Sequence, residues 1–216
     1  MKNIFSVALP VLFLVFSAAG AYAQEAPQPQ FYELAFGTVQ YNITGAVNGT
    51  ETLYFDQWGM RQARLRTAET SSLGVNTTMT LNLGERIVIM DPNKGLGQRK
   101  VDKNLKQLLA NRKPQDTQTI SLELIEMTGG VKGKAQNVLG RPCDVWENKK
   151  AGVKIWAWKG IPLKTEMRTA DGPVSYTAVQ IDESTAVEEG VFAIPKNIRI
   201  IDGDINQILI SMRIMK

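Results

Sequence analysis

Cys143 is the one thiol in a chain of 216 residues, and no histidine accompanies it. Those two facts decide most of the available chemistry. A cysteine nucleophile works as its thiolate and needs a neighbouring base or cation, ordinarily an imidazole, to lower its pKa. Without histidine there is no Ser-His-Asp triad, no imidazole ligand for zinc and no usual haem ligand. With a single cysteine there is no thiolate cluster and no CxxC redox pair. Cys143 therefore reads as a small apolar core side chain, as unpaired cysteine commonly is. In an oxidising compartment it has no intramolecular disulfide partner, so burial must hold the fold.

What remains for catalysis is carboxylate, lysine or tyrosine chemistry. Glu51, Asp56, Asp91, Asp144, Glu147 and Glu166 are carboxylate candidates, but none stands in a spacing that marks an acid/base pair. Pairs of the glycosidase kind are defined by separation in space rather than along the chain. No recognisable catalytic motif is present, so the expectation is a protein that is not an enzyme, with no catalytic residues, no cofactor and no metal. Lys and Arg number 25 against 21 Asp and Glu, a net charge of only +4. The densest basic stretch, KGLGQRKVDKNLK from Lys94 to Lys106, contains an aspartate and no aromatic residue. It reads as a solvated loop leading into a helix rather than a nucleic-acid surface. Its GLG lacks the spacing and the Lys-Ser/Thr ending of a phosphate loop.

Residues 140–164, GRPCDVWENKKAGVKIWAWKGIPLK, gather three of the four tryptophans beside the cysteine. The framework around them is mostly strands. GTVQYNITG puts Val39, Tyr41 and Ile43 on one face. TETLYFD and MRQARLRT follow as a hairpin or meander around Gln57-Trp58-Gly59, with Ala63, Leu65 and Thr67 opposite Gln62, Arg64 and Arg66. TMTLNLG and ERIVIMD add two strands around Gly84, with Met79, Leu81 and Leu83 sharing a face. Two helices are expected in the middle. Asp102 caps KNLKQLLANR, which carries Leu105, Leu108 and Leu109 and ends at Pro114. DTQTISLELIEM, from Asp116 to Met127, has Ile120, Leu124 and Met127 at helical spacing, with Leu122 and Ile125 widening the stripe, and Gly129-Gly130 ends it. A strand also satisfies SLELI. CDVWE, VKIWAW, IPLKTEMRT and PVSYTAVQID then resume the sheet. Trp156 and Trp158 share one face of VKIWAW, and Ile161, Leu163, Thr165 and Met167 one face of the next strand. Tryptophans in neighbouring strands are most simply large packing residues. The fold class is α+β, mainly β: a strongly curved antiparallel sheet, or half-open barrel, with short helices inserted centrally.

At the start of the chain, Lys2, the apolar run from Ile4 to Phe16 and Ala21-Tyr22-Ala23 have the form of a signal peptide cleaved after Ala23, and the run is too short to span a bilayer. No cysteine follows it to accept a lipid anchor. The expected organisation is a signal peptide over 1–23, a flexible leader over 24–35, a curved-sheet domain over 36–200 and an apolar tail over 201–216. The tail fits a strand through Ile208, Ile210, Met212 and Ile214, or a helix through Ile205, Ile208, Leu209 and Met212. The expected location is periplasmic or secreted. Asn42, Asn48 and Asn76 begin Asn-x-Thr triplets, read as chance in a bacterial-looking chain.

The YFD-x-x-G turn with its basic strand, LGRPCDVWE, KIWAWKGIPLKTE and VFAIPKNI together resemble a family of exported bacterial domains near the LolA/LolB-like lipoprotein-carrier fold, over about residues 36 to 200. The resemblance implies a curved antiparallel sheet around a hydrophobic cavity lidded by helices. The sequence departs from the carriers in lacking a clear amphipathic N-terminal helix. The function expected is a soluble periplasmic carrier for a hydrophobic small molecule, a lipid or acyl chain, in envelope biogenesis, with transient membrane contact. Trp58, Met60, Met79, Trp146, Trp156, Trp158, Leu163 and Met167 are the candidate cavity lining, the methionines as adaptable side chains. The alternative is an envelope module that binds a protein partner through a sheet edge or the tail.

Overall fold

Period-two alternation over most of the chain becomes one large sheet, curved and not closed. The computed structural model describes residues 29–202 except 71–73, 114, 115 and 117. The expected signal peptide, its cleavage site and residues 203–216 of the expected tail lie outside the described residues, as does Pro114.

The strands are β1 (Gly37–Gly45), β2 (Val47–Asp56), β3 (Arg61–Thr70), β4 (Gly74–Leu83), β5 (Arg86–Asp91) and β6 (Leu96–Val101) before the helices. After them come β7 (Val131–Lys132), β8 (Gln136–Val138), β9 (Arg141–Asn148), β10 (Val153–Trp158), β11 (Ile161–Thr169), β12 (Gly172–Asp182) and β13 (Arg199–Asp202). The sheet order is β13-β6-β5-β4-β3-β2-β1-β12-β11-β10-β9-β7, with β8 on β9. Two meanders therefore join at one seam, where β1 pairs antiparallel with β12 from Thr38 opposite Asp182 to Gly45 opposite Val174. Every pairing is antiparallel except that of β13 with β6.

Residues directly opposite in an antiparallel pair share a face, so register sorts the side chains. Tyr41 stands opposite Glu51, Glu51 opposite Arg66, Leu53 opposite Arg64 and Phe55 opposite Gln62. Gln62 in turn faces Asn82 across β4, while beyond the seam Ile43 faces Tyr176 and Tyr176 faces Thr165. This set is the inner face, and helices α1 (Lys103–Asn111) and α2 (Ile120–Met127) lie over it. On the outer face Tyr54, Ala63, Leu81 and Val88 are neighbours across β2 to β5. Residues 187–200 cross that face as a strap, burying Phe192 and Ile198 against Ala63, Leu81, Val88 and Met90. The strap's end becomes β13.

A larger core gathers Val39, Tyr41, Leu53 and Phe55 with Cys143, Val145, Trp156, Trp158, Ile161 and Leu163. Here the gathered tryptophans have their physical reason. Lys154 lies 4.8 Å and Lys164 4.6 Å from the centre of the Trp156 ring, and Arg141 4.0 Å and Lys159 4.8 Å from that of Trp158. Each indole fills the core and is roofed by cations that stay near water, an arrangement worth roughly 0.5–1 kcal/mol per exposed pair. Trp156 also donates its indole N–H to Gln136 Oε1 at 2.7 Å. A bulge opposite Trp156 and Ala157 leaves Leu163 as the extra residue of β11, so simple alternation does not run unbroken from Ile161 to Met167.

Three local expectations change. The basic stretch read as a solvated loop contains β6, because Leu96 to Val101 find partners on both β5 and β13. The second helix begins at Ile120 rather than Asp116, and ends where Gly129 and Gly130 turn back to the carbonyls of Glu126 and Ile125 at 2.9 Å. Residues 29–35, expected as leader, are built into the fold: Tyr32 is 2% exposed and packs edge-on against Phe55 at 4.9 Å. Two motif glycines make room for this segment. A Cβ on Gly59 (φ +78°) would stand 2.5 Å from the Tyr32 ring, and one on Gly160 (φ +79°) would stand 2.7 Å from Ser121 Oγ and 2.9 Å from the Phe31 carbonyl.

Candidate functional site

The site begins with the seating of the helices. Asp102 caps α1 as its spacing predicts, its Oδ1 accepting from the backbone N–H groups of Asn104 and Leu105 at 3.0 Å. The apolar side of α1 buries Leu105, and α2 buries Ile120. Arg112, just past α1, pairs with Glu123 of α2 at 2.8 Å and donates to the Gln118 carbonyl, which binds the helices to each other. The start of α2 is tied to the N-terminal segment: Ile120 N–H donates to the Gln30 carbonyl at 2.8 Å and Ser121 Oγ to the Phe31 carbonyl at 2.6 Å. That segment hangs in turn on the β2–β3 and β10–β11 turns, through Phe31 and Tyr32 N–H to the Trp58 carbonyl and Glu33 N–H to the Lys159 carbonyl.

Between the helices and the inner face lies a cavity of about 270 Å³. Leu105, Leu124 and Ile125 form its roof, Ile87, Ile155 and Pro162 its apolar floor, and Phe31 and Tyr32 one wall. Gln62, Arg64 and Asn82 bring polar groups to it. A second hollow of about 230 Å³ adjoins it at Arg64 and Pro162 and is bounded by Tyr41, Glu51, Thr165, Met167 and Tyr176. Met167 also borders a separate, wide-open hollow of about 850 Å³ among the β9–β10 and β11–β12 turns, with Lys149, Lys150, Lys154 and Arg168 at its rim. The first two share Arg64 and Pro162 and form one cleft along the inner face, roofed at its helical end.

Arg64 stands at the junction. Its guanidinium donates to Glu51 Oε1 at 2.7 Å, and Glu51 is buried. Burial works against the arginine's charge, but Glu51 and the phenols of Tyr32 and Tyr41 outweigh it and hold the guanidinium above its ordinary pKa. Burial also pushes both phenols upward. Tyr32 donates to Gln62 Oε1 at 3.0 Å, Gln62 Nε2 to the Gly59 carbonyl at 2.7 Å, and Tyr41 to the Pro162 carbonyl at 2.9 Å. One step along β3, Arg66 donates to the Tyr176 hydroxyl at 3.1 Å. The floor of the cleft is thus apolar at both sides and charged along β3.

The residues expected to line a cavity have varied places. Met167 lines the cleft. Trp146 is a neighbour of the lining, since it lies opposite Ile155, and its buried indole N–H has no partner among the described residues. Trp156, Trp158 and Leu163 belong to the packed core. Met79 packs against the outer-face cluster beneath the strap. Trp58 sits about one-third exposed on the β2–β3 turn with φ +54°, and Met60 closes that turn by accepting from Gly84 N–H. The helical stripe that marks Leu105, Leu124 and Ile125 was a signal for the roof. Nothing in the alternation of β3 says that Gln62, Arg64 and Arg66 face inward. Cys143 is buried, and burial pushes its thiol up. Among the described residues no group of three His, Cys, Asp or Glu side chains is placed to hold a metal.

Two of the motifs behind the family resemblance meet in space. Arg61, paired with Asp56 across the YFD-x-x-G turn, also binds Glu189 and lies 4.5 Å from the Phe192 ring of the VFAIP stretch. No protein-family model and no curated protein sequence matches the chain. Solved structures do match in shape. The crystal structure of an uncharacterized conserved protein from Thermus thermophilus aligns with a TM-score of 0.50 at 8% identity, over 78% of this chain and 91% of that one. A structure of PNGF-II aligns at 0.43 and 10% identity, over 82% of this chain and 32% of that one. The crystal structure of MucB aligns at 0.38 and 12% identity, over 76% of this chain and 58% of that one. The likeness to the Thermus protein bears on the fold alone: a curved, unclosed, mainly antiparallel sheet with two short helices.

Proposed function

We propose that this protein is a non-enzymatic, exported carrier that holds a lipid or acyl chain between α1, α2 and the inner face. The cavity under the helices carries the reading, because apolar side chains from two sheet halves and two helices converge on it without filling it. At about 270 Å³ it is slightly smaller than the roughly 300–1,000 Å³ of drug-sized sites. A longer chain extends past Arg64 into the adjoining hollow. The helices suit a lid, since Leu105 and Ile120 are their only fully buried side chains among the described residues. The likeness of the W-x-W-K-G-I-P-L-K and F-x-I-P stretches to exported carrier-like domains supports the same reading.

The test is organic extraction and mass spectrometry of the protein purified from its native envelope, beside a periplasmic control of matched size and a known carrier. A defined lipid enriched in the wild type, and lost in a folded Leu124→Glu variant, is the expected result. A protein free of lipid, where the known carrier keeps its cargo, rejects the proposal.

A further inference from the structure

We infer that the cleft selects amphiphiles with an anionic head, a carboxylate or phosphate monoester, held at Arg64 and Arg66 with the tail under α1 and α2. The inference rests on the carrier reading and names its ligand class. Gln62, Arg64 and Arg66 project from alternate positions of β3 onto the inner face, each roughly 7 Å from the next along the strand. Across from the two guanidiniums stands one carboxylate, Glu51, which lies opposite Arg66 in register and bonds Arg64. Two cations meet one anion in a partly desolvated place, where an unmatched charge is costly. A second anion completes the pairing.

The order of the lining fits such a molecule. Arg64 borders both hollows, with Leu105, Leu124, Ile125 and Ile155 on one side and Glu51 and Tyr176 on the other. A guanidinium has five N–H donors, of which Glu51 takes one and the Tyr32 hydroxyl lies beside the group, so donors remain for a planar or tetrahedral oxyanion. An uncharged alkyl ligand would leave them unused.

Titration calorimetry of the purified protein with laurate, dodecyl phosphate and dodecanol, each below its micelle concentration, tests this. The two anions are expected to bind at least tenfold tighter than the alcohol. Arg66→Gln should cut that preference severalfold. The triple variant Glu51→Gln/Arg64→Gln/Arg66→Gln, which removes all three charges together, should nearly abolish it while dodecanol still binds. Equal affinity for all three ligands, or a preference that survives both variants, overturns the inference and leaves the carrier reading standing. Binding of none of them to protein shown to be folded removes both.

Discussion

The sheet is covered twice, and the two coverings differ. On the outer face the strap of residues 187–200 closes over Ala63, Leu81, Val88 and Met90 and seats Phe192 among them. On the inner face two helices span the sheet and leave space. The strap is tied by Arg61 to Glu189 and Phe192 and finishes as a strand, so it is part of the sheet's own hydrogen bonding. The helices are tied mainly to each other and to residues 30 and 31. One covering serves stability; the other has its polar groups satisfied at the edges and its apolar surface held over a hollow.

Four substitutions put this contrast to the test. Phe192→Ala should cost most, roughly 3–5 kcal/mol in urea unfolding, because it empties a closed site. Gly160→Ala should follow at about 2–3 kcal/mol, since φ +79° is unfavourable for alanine and its Cβ meets Ser121 Oγ and the Phe31 carbonyl. Loss of the N-terminal segment's protection in hydrogen exchange would identify that cause. Tyr41→Phe should cost about 1 kcal/mol near neutral pH by leaving the Pro162 carbonyl without its donor. Its pH dependence is the sharper readout. Burial keeps Tyr41 protonated in the fold, whereas an unfolded tyrosine releases its proton above its ordinary pKa of 10.0. The unfolded state then binds fewer protons, so stability falls as pH rises beyond that value. The phenylalanine variant should show a shallower alkaline decline, and an unchanged slope would refute the account. Leu124→Ala should cost least, below about 1 kcal/mol, because a half-buried side chain beside empty space gives up little packing. A cost near that of Phe192→Ala would mean that the inner covering is as tightly packed as the outer.

The sheet was legible because its strands alternate and its turns carry glycine, as in the Lys159-Gly160 turn between Trp158 and Ile161, where both residues have positive φ. The helices were legible from the leucine stripe and the Asp102 cap. Strand β6 was not, since Arg99 and Lys100 resemble loop residues until partners on both sides are known. Tyr32 was hidden because a short proline- and glutamine-rich approach carries no period, and its anchor is a pair of distant glycines. The site was hidden for another reason. Alternation separates Ala63 and Leu65 from Gln62, Arg64 and Arg66, but says nothing about which row is covered by helices. The usual rule that apolar residues face inward fails at β3: Leu65 is 44% exposed, while Gln62 is buried under α1, α2 and Tyr32.

The seam between β1 and β12 also sets an order of events. From β1 to β6 and from β9 to β12 successive strands are neighbours along the chain, so they can pair soon after they are made. Thr38 must wait for Asp182, and long loops close slowly. The cleft draws Arg64 from one meander and Ile155 and Pro162 from the other. A chain whose two meanders have formed but whose seam is still open therefore has both halves of the cleft but no cleft, which arrives only with that long-range closure.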